Sequence, residues 1–244
     1  MRNFFQHFFL ATTVIILSAC SKLEDKNPFV DKCSQAEKAA QQILILNNFE
    51  KNKFKDLLDS RFFQFKDLFV EAENLTDIEW EFLAAISFQE SQWDPKAQSN
   101  MGVRGMMMLT RDTAKSLGIS NRIDPKNSVI GGATHLSNIL NSIDYGLTES
   151  DKVNFALATY NLGATNVNNA IAKSNIAPDL LRWDDLKKEL LIIDGDDLYF
   201  KTQTGYSRGQ QVIDYVERIN EYYILMNIYS CKGLTNQLTA ASGT

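Results

Sequence analysis

T-D-I-E-W-E-F-L-A-A-I-S-F-Q-E-S-Q-W-D-P-K-A-Q-S-N-M-G-V-R-G-M-M-M-L-T, residues 76 to 110, sets the frame for the rest of the chain. Thr76 with Glu79 three residues later has the form of a capping box and predicts a helix start. Trp80, Leu83, Ile86 and Glu90 then recur at spacings of three and four, the period of one helix face. A carboxylate therefore stands at the end of an apolar stripe. Apolar surroundings oppose ionisation, so such a group can hold a proton near neutral pH and deliver it to a leaving oxygen. Taken alone, the helix fits a solvated Glu at its end better, the commoner fate of a charged residue.

The residues after Glu90 change that balance. Trp93-Asp94-Pro95 stops the helix, and Ser99-Asn100-Met101-Gly102 makes a turn. Gly105 then lets the backbone pass close to a neighbour before the run Met106-Met107-Met108-Leu109. An acid at a helix end, a glycine-bearing loop and a flexible thioether cluster could together line one side of a cleft, although a methionine run is more often core filler. Farther on, Val153, Phe155, Ala156, Leu157 and Tyr160 lead to Asn161, with Gly163 suited to the helix end. Val212, Tyr215, Val216, Ile219, Tyr222 and Tyr223 give a last helix, over residues 211–229, one broad apolar face.

Glu90-Ser91, then Gly105-Met106-Met107-Met108, then Ala158-Thr159-Tyr160-Asn161, resemble the successive motifs of the soluble-lytic-transglycosylase (SLT) catalytic domain, and Tyr215-Val216 resembles its late tyrosine motif. The run G-V-R-G-M-M-M-L-T is most similar to the membrane-bound lytic transglycosylase F subgroup. The resemblance covers about residues 61–229, and the ordered set is more specific than any one motif. It implies a mainly α, lysozyme-like helical bundle with a substrate groove. It further implies an enzyme that cleaves peptidoglycan between N-acetylmuramic acid and N-acetylglucosamine without water. Glu90 would protonate the glycosidic oxygen. Deprotonated Glu90 would then take the proton of the sugar's own 6-hydroxyl, whose attack on the anomeric carbon gives a 1,6-anhydromuramyl end. The matched motifs hold no second carboxylate, and Asp94 reads as a loop residue.

Positioning would supply much of the rate, since the nucleophile is intramolecular. Ser91, Ser99, Tyr160, Asn161 and Tyr215 are expected to orient sugar groups or Glu90, and Met107 and Met108 to line the groove. Many transglycosylases have Gln where Met108 stands. A goose-type lysozyme would share the fold and the acid but add water, and a non-catalytic wall-binding lipoprotein would need no acid at all.

The 244 residues suit one sizeable domain with appendages, and a net charge of −5 argues against a general nucleic-acid binder. Residues 1–19 read as a lipoprotein signal peptide: Arg2 supplies the positive start, a short apolar stretch follows, and Leu17-Ser18-Ala19-Cys20 looks like a bacterial lipobox. Cys20 would become the lipidated terminus of a chain held on the periplasmic side of the envelope. Ser21 after it favours the outer membrane. Residues 20–60 form a tether and accessory helix, 61–230 the catalytic domain, and 231–244 a flexible tail. Residues 1–60 leave no room for the large solute-binding-like domain that the F subgroup carries at its amino terminus.

Cys33 and Cys231 flank the domain and could pair in an oxidising compartment or stay apart as thiols; sequence cannot establish their proximity. With His7 in the leader and His135 the only other histidine, a metal site is not expected, nor any other cofactor. The partners expected are glycan strands and, through the lipid, a membrane; envelope-assembly proteins would also be compatible.

Overall fold

The computed structural model describes residues 28–41, 43, 45–196 and 207–242. Residues 1–19 and Cys20 lie outside them. Among the described residues ten helices carry the fold: α1 (Pro28–Ala40), α2 (Asn48–Ser60), α3 (Lys66–Thr76), α4 (Trp80–Ser91), α5 (Arg111–Ser116), α6 (Pro125–Ser142), α7 (Glu149–Leu162), α8 (Ala164–Ser174), α9 (Trp183–Asp196) and α10 (Arg208–Ser242). The described residues contain no strand, only isolated bridges that join Gln98 to Arg104 and Arg104 to Leu109. The architecture is the mainly α one expected.

Helix α4 is the axis of the bundle. Every residue from Glu81 to Phe88 is buried, with α3 and α10 packed against it. Leu83 and Ile86 are fully enclosed as the stripe predicts, but so are Ala84, Ala85 and Ser87. A helix apolar on all sides is a core helix, not a one-faced one. Its start also differs from expectation. Thr76 closes α3, its hydroxyl donating to the Ala72 carbonyl at 2.8 Å, and α4 begins at Trp80. Glu79 is drawn off to Lys32 at 3.0 Å and to the Tyr223 hydroxyl. Long-range partners on α1 and α10 thus defeat the local capping box.

Other boundaries follow ordinary capping. Asn47 with Glu50 and Thr148 with Asp151 form the capping boxes of α2 and α7. Asp124 caps α6, with Pro125 in its first turn. The aromatic run before α4 is broken at its head, where Phe62–Phe65 form a 3-10 turn. Residues 194–196, although acidic and glycine-bearing, continue α9. Helix α10 continues to Ser242, through the segment read as an irregular tail; Leu, Gln and Ala there are good helix formers, and small size does not break a helix.

Gln92 and Trp93 turn the chain sharply after α4, both in the left-handed region at φ 55 and 58. That conformation costs non-glycine residues roughly 1–2 kcal/mol each. Burial offsets it. Trp93 is fully enclosed, donates its indole N–H to the Ala84 carbonyl at 2.9 Å, and packs against Phe62 and Phe88 with ring centroids at 4.8 and 4.7 Å. Phe54 of α2 and Tyr222 of α10 stack at 5.3 Å in the same cluster. Trp93→Ala should cost roughly 3–5 kcal/mol, read as a lower urea midpoint, and should loosen the turn that follows Glu90.

The two ends are tied together. Cys33 of α1 and Cys231 of α10 form a disulfide, with sulfurs 2.06 Å apart and a sequence separation of 198. Glu221 of α10 accepts from the backbone N–H groups of Ile45 and Leu46 at 2.9 and 2.7 Å, fastening the link between α1 and α2.

Candidate active site

Glu90 lies in the last turn of α4, where the buried helix reaches the surface. The residue keeps an intermediate exposure, yet the protein packed around its carboxyl raises the pKa from 4.5 to about 7. Two neighbours oppose that rise and are outweighed by it: the Tyr215 hydroxyl donates to Oε1 at 2.5 Å, and the Arg208 guanidinium adds a positive charge. Burial is the dominant cause. Beside Glu90 opens a pocket of about 450 Å³, lined by Gln89, Asn161, Arg208, Gln211, Asp214, Tyr215 and Arg218.

Tyr160, at the end of α7, donates its hydroxyl to the Met107 carbonyl at 2.8 Å. Burial, with the Glu90 charge adding to it, raises the pKa of Tyr160 well above the ordinary phenol value; the same causes act on Tyr215. Both tyrosines therefore stay protonated, Tyr215 donating to Glu90 and Tyr160 to the Met107 carbonyl. His135 stands against the Tyr160 ring at 5.2 Å, its pKa lowered by burial, and braces that ring as a neutral group. Asn161 accepts from Arg208 through its backbone carbonyl at 3.1 Å and its Oδ1 at 3.2 Å. Arg has only donors, so the amide oxygen must face it, which leaves the Nδ2 donors for the pocket.

The methionine loop is held by hydroxyls. Ser91 donates to the Met106 carbonyl at 2.8 Å, Ser87 to the same oxygen at 3.1 Å, and the Met107 N–H donates to Ser128 at 3.1 Å. Gly105, at φ 86, sits where a Cβ would lie 2.0 Å from the Arg122 carbonyl, so the loop requires glycine there. Met107 departs from expectation. Its side chain is fully buried and packs on Gly132, so it lines no groove, and its contribution is the carbonyl that Tyr160 uses. Met108 is half-buried at φ 45. Ser99 accepts the N–H groups of Met101 and Val103 at 3.2 and 3.3 Å, which shapes its own turn.

The structure thus brings Glu90, Tyr160, Asn161 and Tyr215 together, while Ser91 and Ser99 serve the loop backbone. Sequence reading missed Arg208, Gln89, Gln211 and Asp214. Arg208 stands just ahead of the Tyr215 motif, the one signal that pointed to it. Asp94 accepts the Lys96 N–H at 2.9 Å as a loop residue. Among the described residues no cluster of three or more His, Cys, Asp or Glu is placed to hold a metal ion.

Comparison with known families gives the same placement: residues 67–180 match the transglycosylase SLT domain. The matched segment is just under half of the chain. It contains Glu90, the methionine loop and Tyr160-Asn161, whereas Arg208 and Tyr215 come from α10, beyond the matched segment. Two curated relatives are both named membrane-bound lytic murein transglycosylase F. The Shewanella loihica protein is 44% identical over 173 residues, covering 70% of this chain and 36% of that protein. The Pseudomonas fluorescens protein is 34% identical over 216 residues, covering 84% of this chain and 44% of that protein. The chain therefore spans less than half the length of these two relatives. A solved structure of an inactive mutant of lytic transglycosylase Slt from Pseudomonas aeruginosa aligns over 84% of this chain and 30% of that chain, at a TM-score of 0.47 and 17% identity.

Proposed function

We propose that this chain is a peptidoglycan lytic transglycosylase in which Glu90 is the single acid and base. The observation that carries the reading is the carboxyl of Glu90, half-open beside a polar pocket, bonded to Tyr215 and with its pKa at about 7. An acid so poised can protonate a glycosidic oxygen and, once ionised, accept the proton of a substrate hydroxyl. The Tyr215 donor and the Arg208 charge favour the ionised form needed in the second half of the reaction. The Asn161 amide, turned by Arg208, offers two donors to a sugar acceptor such as an N-acetyl carbonyl.

The assignment of residues 1–19 as a lipoprotein signal, Cys20 as the lipidated residue, 20–60 as tether and accessory helix and 61–230 as catalytic domain belongs to the same proposal. The relatives' membrane-bound designation supports placement in the bacterial envelope, with a lipid anchor on the periplasmic side of the outer membrane. Among the described residues no helix is long and apolar enough to cross a membrane.

One observation favours a second reading. Asp214 lines the pocket beside Glu90, and burial raises its pKa, so a second carboxylate faces that pocket, as the water-activating base of a hydrolase would. Its carboxylate accepts from Gln210 at 2.7 Å. Digestion of purified sacculi followed by mass spectrometry separates the two. A transglycosylase leaves muropeptide ends lighter by one water than the hydrolysed ones, and Asp214→Asn should leave that product unchanged. Hydrated ends, lost in Asp214→Asn, would establish the hydrolase.

Tyr215→Phe removes a donor to the ionised carboxylate. The pKa of Glu90 should move further up from about 7, and the falling alkaline limb of kcat/KM should shift to higher pH. A profile that stays in place, or moves towards acid, would show that this hydrogen bond does not set the ionisation.

A further inference from the structure

A second pocket, of about 240 Å³, opens between α2, α4 and α10 and shares Gln89 and Arg218 with the Glu90 pocket. Its other wall is Phe49, Glu50 and Lys53 of α2, an element outside the segment matched to the SLT domain. The two cavities are therefore neighbouring compartments of one groove, and the second is built by a part of the chain that the family match does not cover.

The chemistry of its lining is uneven. Arg218 and Glu50 form an ion pair and cancel. Lys53 has no acidic partner among the described residues, so the pocket keeps one uncompensated positive charge. The side-chain amides of Gln89 and Gln92, both half-buried, make no hydrogen bond among the described residues. Phe49 is 73% exposed at the mouth. A neutral sugar would leave Lys53 without a counterpart. A short acidic peptide answers every group: its backbone donates to and accepts from the two amides, a carboxylate meets the ammonium, and a small apolar side chain covers the Phe49 ring.

Resting on the peptidoglycan reading above, we propose that this pocket seats the acidic stem peptide of a muramyl residue whose glycan lies in the Glu90 pocket. Helix α2 makes the chain select strands that still carry their stems, and Lys53 determines that selection. Binding is measured with the full chain carrying Glu90→Gln, so that strands are not cut, against soluble glycan strands with stems and the same strands stripped by an amidase.

Stem-bearing strands should bind about tenfold more tightly, the scale of one hydrogen bond to a charged group. Adding Lys53→Glu should abolish that preference with the affinity for stripped strands unchanged, and Lys53→Arg should restore it. Equal affinity for the two strands, or a preference that survives Lys53→Glu, would overturn the proposal while leaving the cleavage reading intact. Binding of neither strand would overturn both.

Discussion

Glu90→Gln should reduce release of muropeptides from sacculi by on the order of a thousandfold or more, because it removes the one proton that both half-reactions need. The amide keeps the shape of the carboxyl and can still meet the Tyr215 hydroxyl, so the fold should be retained. The substitution should also change stability in a pH-dependent way. Glu90 has its folded pKa raised from 4.5 to about 7. Between those values the folded chain holds a proton that the unfolded chain has lost, so stability falls as pH rises through that window. Below it the cost is absent. Above it the cost is complete, up to about 3 kcal/mol for a shift of this size. Gln carries no such cost. The variant should therefore match the parent at acid pH and exceed it in urea midpoint at pH 8. A variant less stable at pH 8 would mean that the carboxylate is welcomed by its surroundings, and the proposed acid would lose its physical basis.

The second large effect is expected at the disulfide. Cys33→Ser, or reduction, frees the two ends of a loop spanning 198 residues, worth about 5 kcal/mol in the chain-entropy description. The loss should appear as a lower urea midpoint for the variant than for the oxidised parent, and as no difference between them under reductant. The remaining fastenings of α1 are modest, since Lys32 to Glu79 is a partly exposed ion pair. A variant as stable as the oxidised parent would show that α1 adds nothing to the bundle once formed.

Much of this molecule was legible in its sequence because the decisive signals are local. The spacing of Leu83, Ile86 and Glu90 fixed a helix with an acid at its end, and the glycine at 105 announced the close backbone approach that the loop makes to Arg122. Of the tyrosines singled out by motif order, Tyr215 bonds the Glu90 carboxyl from α10, and Tyr160 on α7 bonds the Met107 carbonyl within reach of the Glu90 charge. What stayed hidden depends on long-range competition. Thr76 and Glu79 have the letters of a capping box, but Lys32 and Tyr223 claim the Glu79 carboxylate, and no window along the chain contains those partners. Met107 looked like a groove residue because thioethers suit irregular surfaces, whereas Gly132 leaves room for it inside the core. Helix α2 went unseen as a wall of the groove since Phe49 and Lys53 make sense only against Gln89 and Arg218, far along the chain.

The protonation of Glu90 itself can be observed. With glutamate carboxyl carbons labelled by ¹³C, and the Glu90 resonance assigned by its absence in Glu90→Gln, titration from acid to alkaline pH should show that carbon moving with a midpoint near 7. A midpoint near 4.5, the ordinary value for a solvated glutamate, would contradict the account, because the group would then be ionised at neutral pH with no proton to give.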